Sequence, residues 1–135
     1  MQIEVDEEIA RHDVLGKVFA SPEHFARAPD VAARAADGRC AVLLNVYPAG
    51  DSSAPRKPHS RIVLLKPTLI DAAPVDVVEY ATSHPAFPQE PTTDQFFDEA
   101  QWESYRSLGL CIARRVFGED SDGGVGAELW RYLTG

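Results

Sequence analysis

The sequence predicts an α+β fold, in which a small antiparallel sheet of about two strands packs against one long helix and several short ones. Two strand-sized apolar runs, a long amphipathic segment in the second half, and shorter segments that begin at Pro and end at Gly favour this class. The chain has 135 residues, 44% of them hydrophobic and 25% charged, so it can bury one core. We therefore expect a single domain spanning residues 1–135.

Two segments have the pattern of strands. Cys40–Tyr47 is an apolar run except for Asn45, as in a strand buried on both faces, and Arg61–Lys66 holds four apolar residues between two charges. The connection 48–60 contains Pro, Gly and Ser and predicts a long, loosely held loop without anchoring side chains. Ile3–Phe19 is compatible with a short strand followed by irregular chain.

Short helices are expected on either side of these strands. Ser21 followed by Pro22 is a typical helix start, and Glu23–Ala36 predicts one broken helix or two short ones. A third helix is expected over Val75–Thr82. A last one is expected over Ala127–Leu133, with Trp130 among its buried residues.

The longest predicted helix covers Thr93–Phe117. Thr92 and Gln95 have the spacing of a capping box, and Gly118 fits the position after the helix end. Glu103 lies three residues before Arg106 and can pair with it. A periodicity of 100° per residue places seven residues on one apolar arc: Phe97, Ala100, Tyr105, Leu108, Cys111, Ile112 and Val116.

The charge of the chain excludes some partners. A formal charge of −8 opposes nonspecific binding to nucleic acid or anionic lipid, since phosphate binding requires an excess of Lys and Arg. No run approaches the ~20 apolar residues of a membrane span, and the acidic N-terminus does not resemble a signal peptide. We expect a soluble, cytoplasmic protein with no integral membrane segment.

Acidic residues are concentrated in one stretch. Asp71–Glu103 contains eight of them and no Lys or Arg, whereas Arg27–Lys66 has seven basic and three acidic residues. The acidic stretch is either an ordinary solvated face or a surface that docks a basic partner.

The residues for metal or thiol chemistry are dispersed. No two of the four histidines are three or four positions apart, and Cys40 and Cys111 form no Cys-x-x-Cys pattern. We expect two reduced, mostly buried thiols and no cofactor or metal.

A long motif begins at Phe87 and ends at Gly109, reading FPQEPTTDQFFDEAQWESYRSLG. It resembles a segment near the C-terminus of bacterial patatin-like phospholipases. The apolar strand Ile62–Leu65 with the following Lys-Pro, and the short helix around Val77–Ala81, resemble the family as well. The resemblance covers residues 62–118. Four positions depart from the family pattern, namely Gln89, Pro91, Thr93 and Trp102, where the family has His, Ser, Ala and Phe.

The resemblance implies a lipid acyl hydrolase with a Ser-Asp dyad, whose Ser lies in a Gly-x-Ser-x-Gly elbow. No such elbow occurs in this sequence, and Asp122-Gly123-Gly124 follows the motif, out of the family's order. The sequence therefore predicts no enzyme on its own. It predicts a noncatalytic module, either a detached tail or a docking unit acting beside a patatin-type hydrolase.

Two alternatives stay open: a stand-alone interaction domain using the acidic face 71–103, and a hydrolase with an unrecognised site. The pattern does not indicate an oligomeric state. Trp102 is either a half-buried ring packed on its own domain or an anchor for a partner. The candidate partner-binding residues are those of the motif that match the family, together with this Trp: Asp94, Gln95, Trp102, Glu103, Tyr105 and Arg106.

Overall fold

The computed structural model describes residues 1–26, 37–50, 52, 54–91, 93, 96–118 and 125–135. The α+β prediction is confirmed, with three antiparallel strands where about two were expected. Two 3₁₀ turns, Ile9–Arg11 and Leu15–Lys17, follow the first strand. The regular elements in chain order are β1 (Gln2–Val5), α1 (Pro22–Ala26), β2 (Ala41–Tyr47), β3 (Ser60–Leu65), α2 (Val75–Ser83), α3 (Glu99–Phe117) and α4 (Val125–Thr134).

β2 is the central strand of the sheet. It pairs with β1 so that Val5 lies opposite Leu44, and with β3 so that Leu43 lies opposite Val63. Because side chains alternate between faces, Leu43 and Val63 point to the side on which the helices pack. Leu43 is fully buried there.

The core lies between this inner face and the helices. The irregular N-terminal segment contributes the largest fully buried side chain, Phe19, whose backbone forms an isolated parallel bridge with Ala41 of β2. The remaining core comes from every layer of the fold: Ile9, Leu15, Leu43, Leu69, Ile70, Val77, Leu108, Ile112, Val116 and Leu129.

The predicted start of α3 is wrong. The helix begins at Glu99, and the carboxylate of Asp98 caps it by accepting a hydrogen bond from the backbone N–H of Gln101 at 2.7 Å. Asp98-x-x-Gln101 repeats the capping spacing six residues after Thr92-x-x-Gln95, and an Asp is as good a cap as a Thr. Thr92 and Gln95 themselves lie outside the described residues.

The apolar arc of α3 is correct only in its C-terminal half. In the first two turns, the buried residues are Gln101 and Ser104, whereas Ala100 is exposed. Phe97 precedes the helix and is also exposed. Both buried polar side chains have partners. Gln101 donates to the Glu90 carboxylate at 2.8 Å, and the Ser104 hydroxyl donates to the Ala100 carbonyl at 2.8 Å. Because the helix starts later than predicted, hydrogen-bonded polar side chains occupy the buried positions at its N-terminal end, where apolar side chains were expected.

The shorter helices agree largely with expectation. α1 confirms the start at Pro22, and the rest of Glu23–Ala36 lies outside the described residues. α2 and α4 confirm their predicted positions within two residues at each end. The burial of Trp130 was wrong, because Leu129 takes the inner position of α4 and leaves Trp130 68% exposed.

The connection between β2 and β3 has an anchor that was not expected. Arg56 donates to the Glu4 carboxylate at 2.8 Å, and its guanidinium lies 4.0 Å from the centroid of the Tyr47 ring. A cation over an aromatic face and a charge-assisted hydrogen bond both hold this side chain. The prediction of a loop without anchoring side chains is therefore wrong at Arg56.

Candidate partner-binding surfaces

The motif 87–109 folds back on itself around Glu90. This carboxylate accepts a hydrogen bond from Gln101 and is also hydrogen-bonded to the hydroxyl of Tyr105. Burial of the ring, and then the neighbouring Glu90 carboxylate, raise the pKa of Tyr105 to about 12. Glu90 thus joins the turn before α3 to the first two turns of the helix.

Tyr105 lies inside a row of aromatic rings. Its ring packs edge-on against Phe87, with centroids 4.8 Å apart, and stacks on Phe97 at 5.3 Å. Phe87 in turn packs against Tyr80 of α2 at 5.2 Å. Such pairs favour fixed geometry. Tyr105, expected at a partner contact, is therefore half-buried and positions Phe97.

The other candidate residues of α3 lie on its outer side. Trp102 is 64% exposed, which favours a contact residue over a ring packed on its own domain. The predicted Glu103–Arg106 pair is confirmed as bidentate, at 2.8 and 2.6 Å. Asp94 and Gln95 lie outside the described residues. We call the exposed group of Phe96, Phe97, Trp102, Glu103 and Arg106 the head surface.

A second surface was not expected from the sequence. It is the side of the sheet turned away from the helices, and we call it the outer face: Ile3, Val5, Val42, Leu44, Val46, Ile62 and Leu64. The strand register places these residues together, since Val46 pairs with Ile3, Leu44 with Val5 and Ile62, and Val42 with Leu64. Val42 and Val46 do not belong to the core cluster, although both are buried. The exposed area of the outer face therefore comes from the flanking strands and not from β2.

The outer face has the composition of an interface. These seven side chains are apolar, and the polar Ser60 lies beside them opposite Val46. Three of the four on the flanking strands are well exposed: Ile3 at 50%, Ile62 at 44% and Leu64 at 51%. An antiparallel sheet with one face in water normally alternates apolar and polar side chains, and a contiguous exposed apolar patch marks an interaction site. The signal was present in the uninterrupted run Ile62–Leu65, which leaves Ser60 as the polar residue of β3 on the water side.

The acidic stretch 71–103 has fewer free charges than its sequence suggests. Three of its eight carboxylates are hydrogen-bonded to neighbouring residues: Glu90 binds Gln101, Asp98 caps α3, and Glu103 pairs with Arg106. Asp71 lies 3.9 Å from Arg115. Satisfied carboxylates attract a basic partner less strongly. This observation favours the head surface and the outer face over an acidic docking face.

Nucleophile chemistry is disfavoured at the two thiols. Cys40 is fully buried, and burial raises its pKa to about 12. Cys111 is partly buried, donates to the Ala72 carbonyl at 3.2 Å, and also has a pKa raised by burial. A thiol held in its protonated form is a poor nucleophile.

The described part of the chain contains no group of three or more His, Cys, Asp or Glu side chains that converge as metal ligands. Within the same residues, none of the helices combines the length and the apolar character that a membrane crossing requires. Comparison with known proteins gave no match to a protein-family model, to a curated protein or to a solved structure.

Proposed function

We propose that this chain is a noncatalytic, cytoplasmic docking module, and that its outer face binds a separate hydrolase of the patatin-like type. The observation that carries the proposal is the charge-free outer face, on which three large aliphatic side chains of the flanking strands are about half exposed. When a partner covers such a surface and removes it from water, the free energy of the complex falls by roughly 25 cal/mol per Å² of apolar area.

The identity of the partner is supported by the resemblance. β3 lies inside the segment 62–118 that resembles patatin-like phospholipases, and in that family the segment belongs to the same chain as the catalytic region. In the proposed complex, the catalytic region lies on the separate hydrolase and covers the outer face of this chain. The head surface, with Trp102 and Arg106, offers residue types that dominate protein interfaces and is the second contact in this proposal.

The experiment uses the purified chain and a patatin-type hydrolase from the same genome. Binding is measured by isothermal titration calorimetry for the wild type, for the double variant Ile62→Lys/Leu64→Lys, and for Trp102→Ala. The double variant places two charges on the outer face, so we expect its affinity to fall by a hundredfold or more, on the order of 3 kcal/mol. Trp102→Ala is expected to weaken binding about tenfold.

A matched control is available on α2. Val75 is 77% exposed and belongs to a helix, so Val75→Lys adds one positive charge outside the outer face. Its affinity should equal that of the wild type. Undiminished binding by the double variant, or no binding by the wild type to any such hydrolase, contradicts the proposal.

The remaining alternative, a hydrolase with an unrecognised site, is separable from docking. A broad ester assay on the pure chain is expected to show no turnover above buffer. Turnover that disappears in Asp94→Asn or Asp122→Asn would show that this chain carries out acyl chemistry itself.

A further inference from the structure

A groove of about 770 Å³ lies beside the C-terminal half of α3. Its other walls are the 3₁₀ turn Leu15–Lys17, the segment before α2, and the start of α4. The volume is within the range of small-molecule sites. The groove is a separate feature from the outer face of the sheet, and it shares no residue with the head surface.

The described residues that line the groove carry a net positive charge, on a protein that is negatively charged. Among them are Lys17, Arg114 and Arg115, against one carboxylate, that of Asp71. The chain as a whole carries a formal charge of −8. Neither Lys17 nor Arg114 forms an ion pair with another described residue. Clustered cations within low-dielectric walls concentrate anions locally.

Arg115 is the most buried of the three cations, and its ion pair with Asp71 is a long one. Its side chain is only 20% exposed, and its Nη2 lies 3.9 Å from Asp71, beyond hydrogen-bonding distance. Its Nε is buried without a hydrogen-bond partner among the described residues. Gly38 lies against the guanidinium, because a Cβ at that position would be 2.5 Å from Nη2. A guanidinium that is held in place and largely buried, with so few partners, is costly unless an anion binds it.

The remaining lining of the groove is largely apolar. Val14 and Val18 come from the N-terminal segment, Leu110 from α3 and Val125 from the start of α4. Leu110 is 42% exposed although it is aliphatic, which is the exposure expected of a side chain at an open ligand site. Cations and aliphatic side chains therefore line the same groove.

We propose that this groove binds a small amphipathic anion, in which a carboxylate or phosphate head contacts Arg115, Arg114 and Lys17 and an apolar chain lies along the aliphatic wall. The planar guanidinium binds either head group through two parallel hydrogen bonds. This site goes beyond the docking function and does not depend on it.

The test is a calorimetric titration of the full chain with decanoate and with decyl phosphate, both in monomeric solution. Saturable one-to-one binding is expected for at least one of them, and the comparison identifies the preferred head group. Hexanoate should bind more weakly by roughly fourfold for each methylene removed, since each buried methylene contributes about 0.8 kcal/mol. Decanol and decyltrimethylammonium, which lack the negative head, should not bind.

Three variants locate the site. Arg114→Gln and Arg115→Gln are each expected to weaken binding about tenfold or more, as for loss of a charge-assisted hydrogen bond. Arg114 is exposed, so its variant keeps the test decisive if Arg115→Gln fails to fold. Arg11→Gln removes an exposed Arg that is not among the residues lining the groove and should bind as the wild type does.

Other outcomes overturn the proposal. Absence of saturable binding to the wild type refutes it, as does equal binding by Arg114→Gln and the wild type. Glu119, Asp120 and Asp122 follow Gly118 in the sequence and lie outside the described residues. If the ligands bind only after these three are changed to Gln, Asn and Asn, the chain's own carboxylates neutralise the groove and no external anion is needed.

Discussion

The exposure of the outer face in the free protein can be measured by comparing two leucines on opposite sides of the sheet. Leu43 on β2 is fully buried in the core, whereas Leu64 on β3 is 51% exposed on the outer face. Leu43→Ala removes buried methyl groups and leaves a cavity, so we expect a loss of about 2–5 kcal/mol in the free energy of unfolding.

The loss at Leu64 should be much smaller. Full burial of a Leu side chain contributes about 1.5–3 kcal/mol, and half of that surface is already in water. Leu64→Ala is therefore expected to cost about 1 kcal/mol, including a few tenths for the lower strand propensity of Ala. Leu64→Lys should be tolerated about as well, because the ammonium can stay in water.

Urea unfolding followed by far-ultraviolet circular dichroism measures these differences, provided that the m-value stays constant across the variants. A Leu64→Ala loss of about 3 kcal/mol or more, close to the Leu43→Ala loss, refutes the reasoning. It would mean that the outer face is already covered in the monomer, and docking through it would have to be abandoned.

Three further predictions concern single groups. Asp98→Ala should lower the free energy of unfolding in urea by about 1 kcal/mol because it removes the cap of α3, whereas Thr92→Ala should change it by less than about 0.5 kcal/mol. The reverse order would support the helix start at Thr93 that the sequence predicted. The pKa of Tyr105 is raised to about 12, so its contribution to stability is complete below pH ~10 and is lost as the pH rises toward 12. Tyr105→Phe should flatten this alkaline loss, as followed by thermal melts across that range, and an unchanged slope would contradict the assignment. Cys40, with a pKa raised to about 12, should not react with Ellman's reagent at pH 8 in the native state, whereas Cys111 should react slowly. In denaturant, both thiols should react at once. Rapid labelling of two thiols in the native protein would show that Cys40 is accessible.

The parts of the fold that follow from local pattern were predictable. β2 and β3 are largely apolar runs, and α2 follows a proline at its N-cap position. β1 was less clear because Gln2–Val5 is short and carries a charge. It becomes a strand through its pairing with β2, a contact between residues about forty positions apart in the chain.

The parts that depend on tertiary contacts were not predictable. The start of α3 was ambiguous because two capping patterns of equal spacing lie six residues apart, and only the later one satisfies the buried Gln101. The anchor at Arg56 depends on Glu4, which is 52 residues away. Of the two candidate surfaces, the head surface was predictable in part, because Trp102 and the pair Glu103–Arg106 follow from helical spacing. The outer face requires the register of all three strands.

The placement of the two tryptophans determines how this molecule can be observed. Trp102 and Trp130 are the only indoles in the chain, and both are turned toward water in the folded state. Their emission should thus shift little when the protein unfolds, and fluorescence is a poor monitor of its stability. The same placement makes Trp102 a sensitive reporter of association: in a Trp130→Phe background, a blue shift on adding a partner reports contact at the start of α3 without any attached dye.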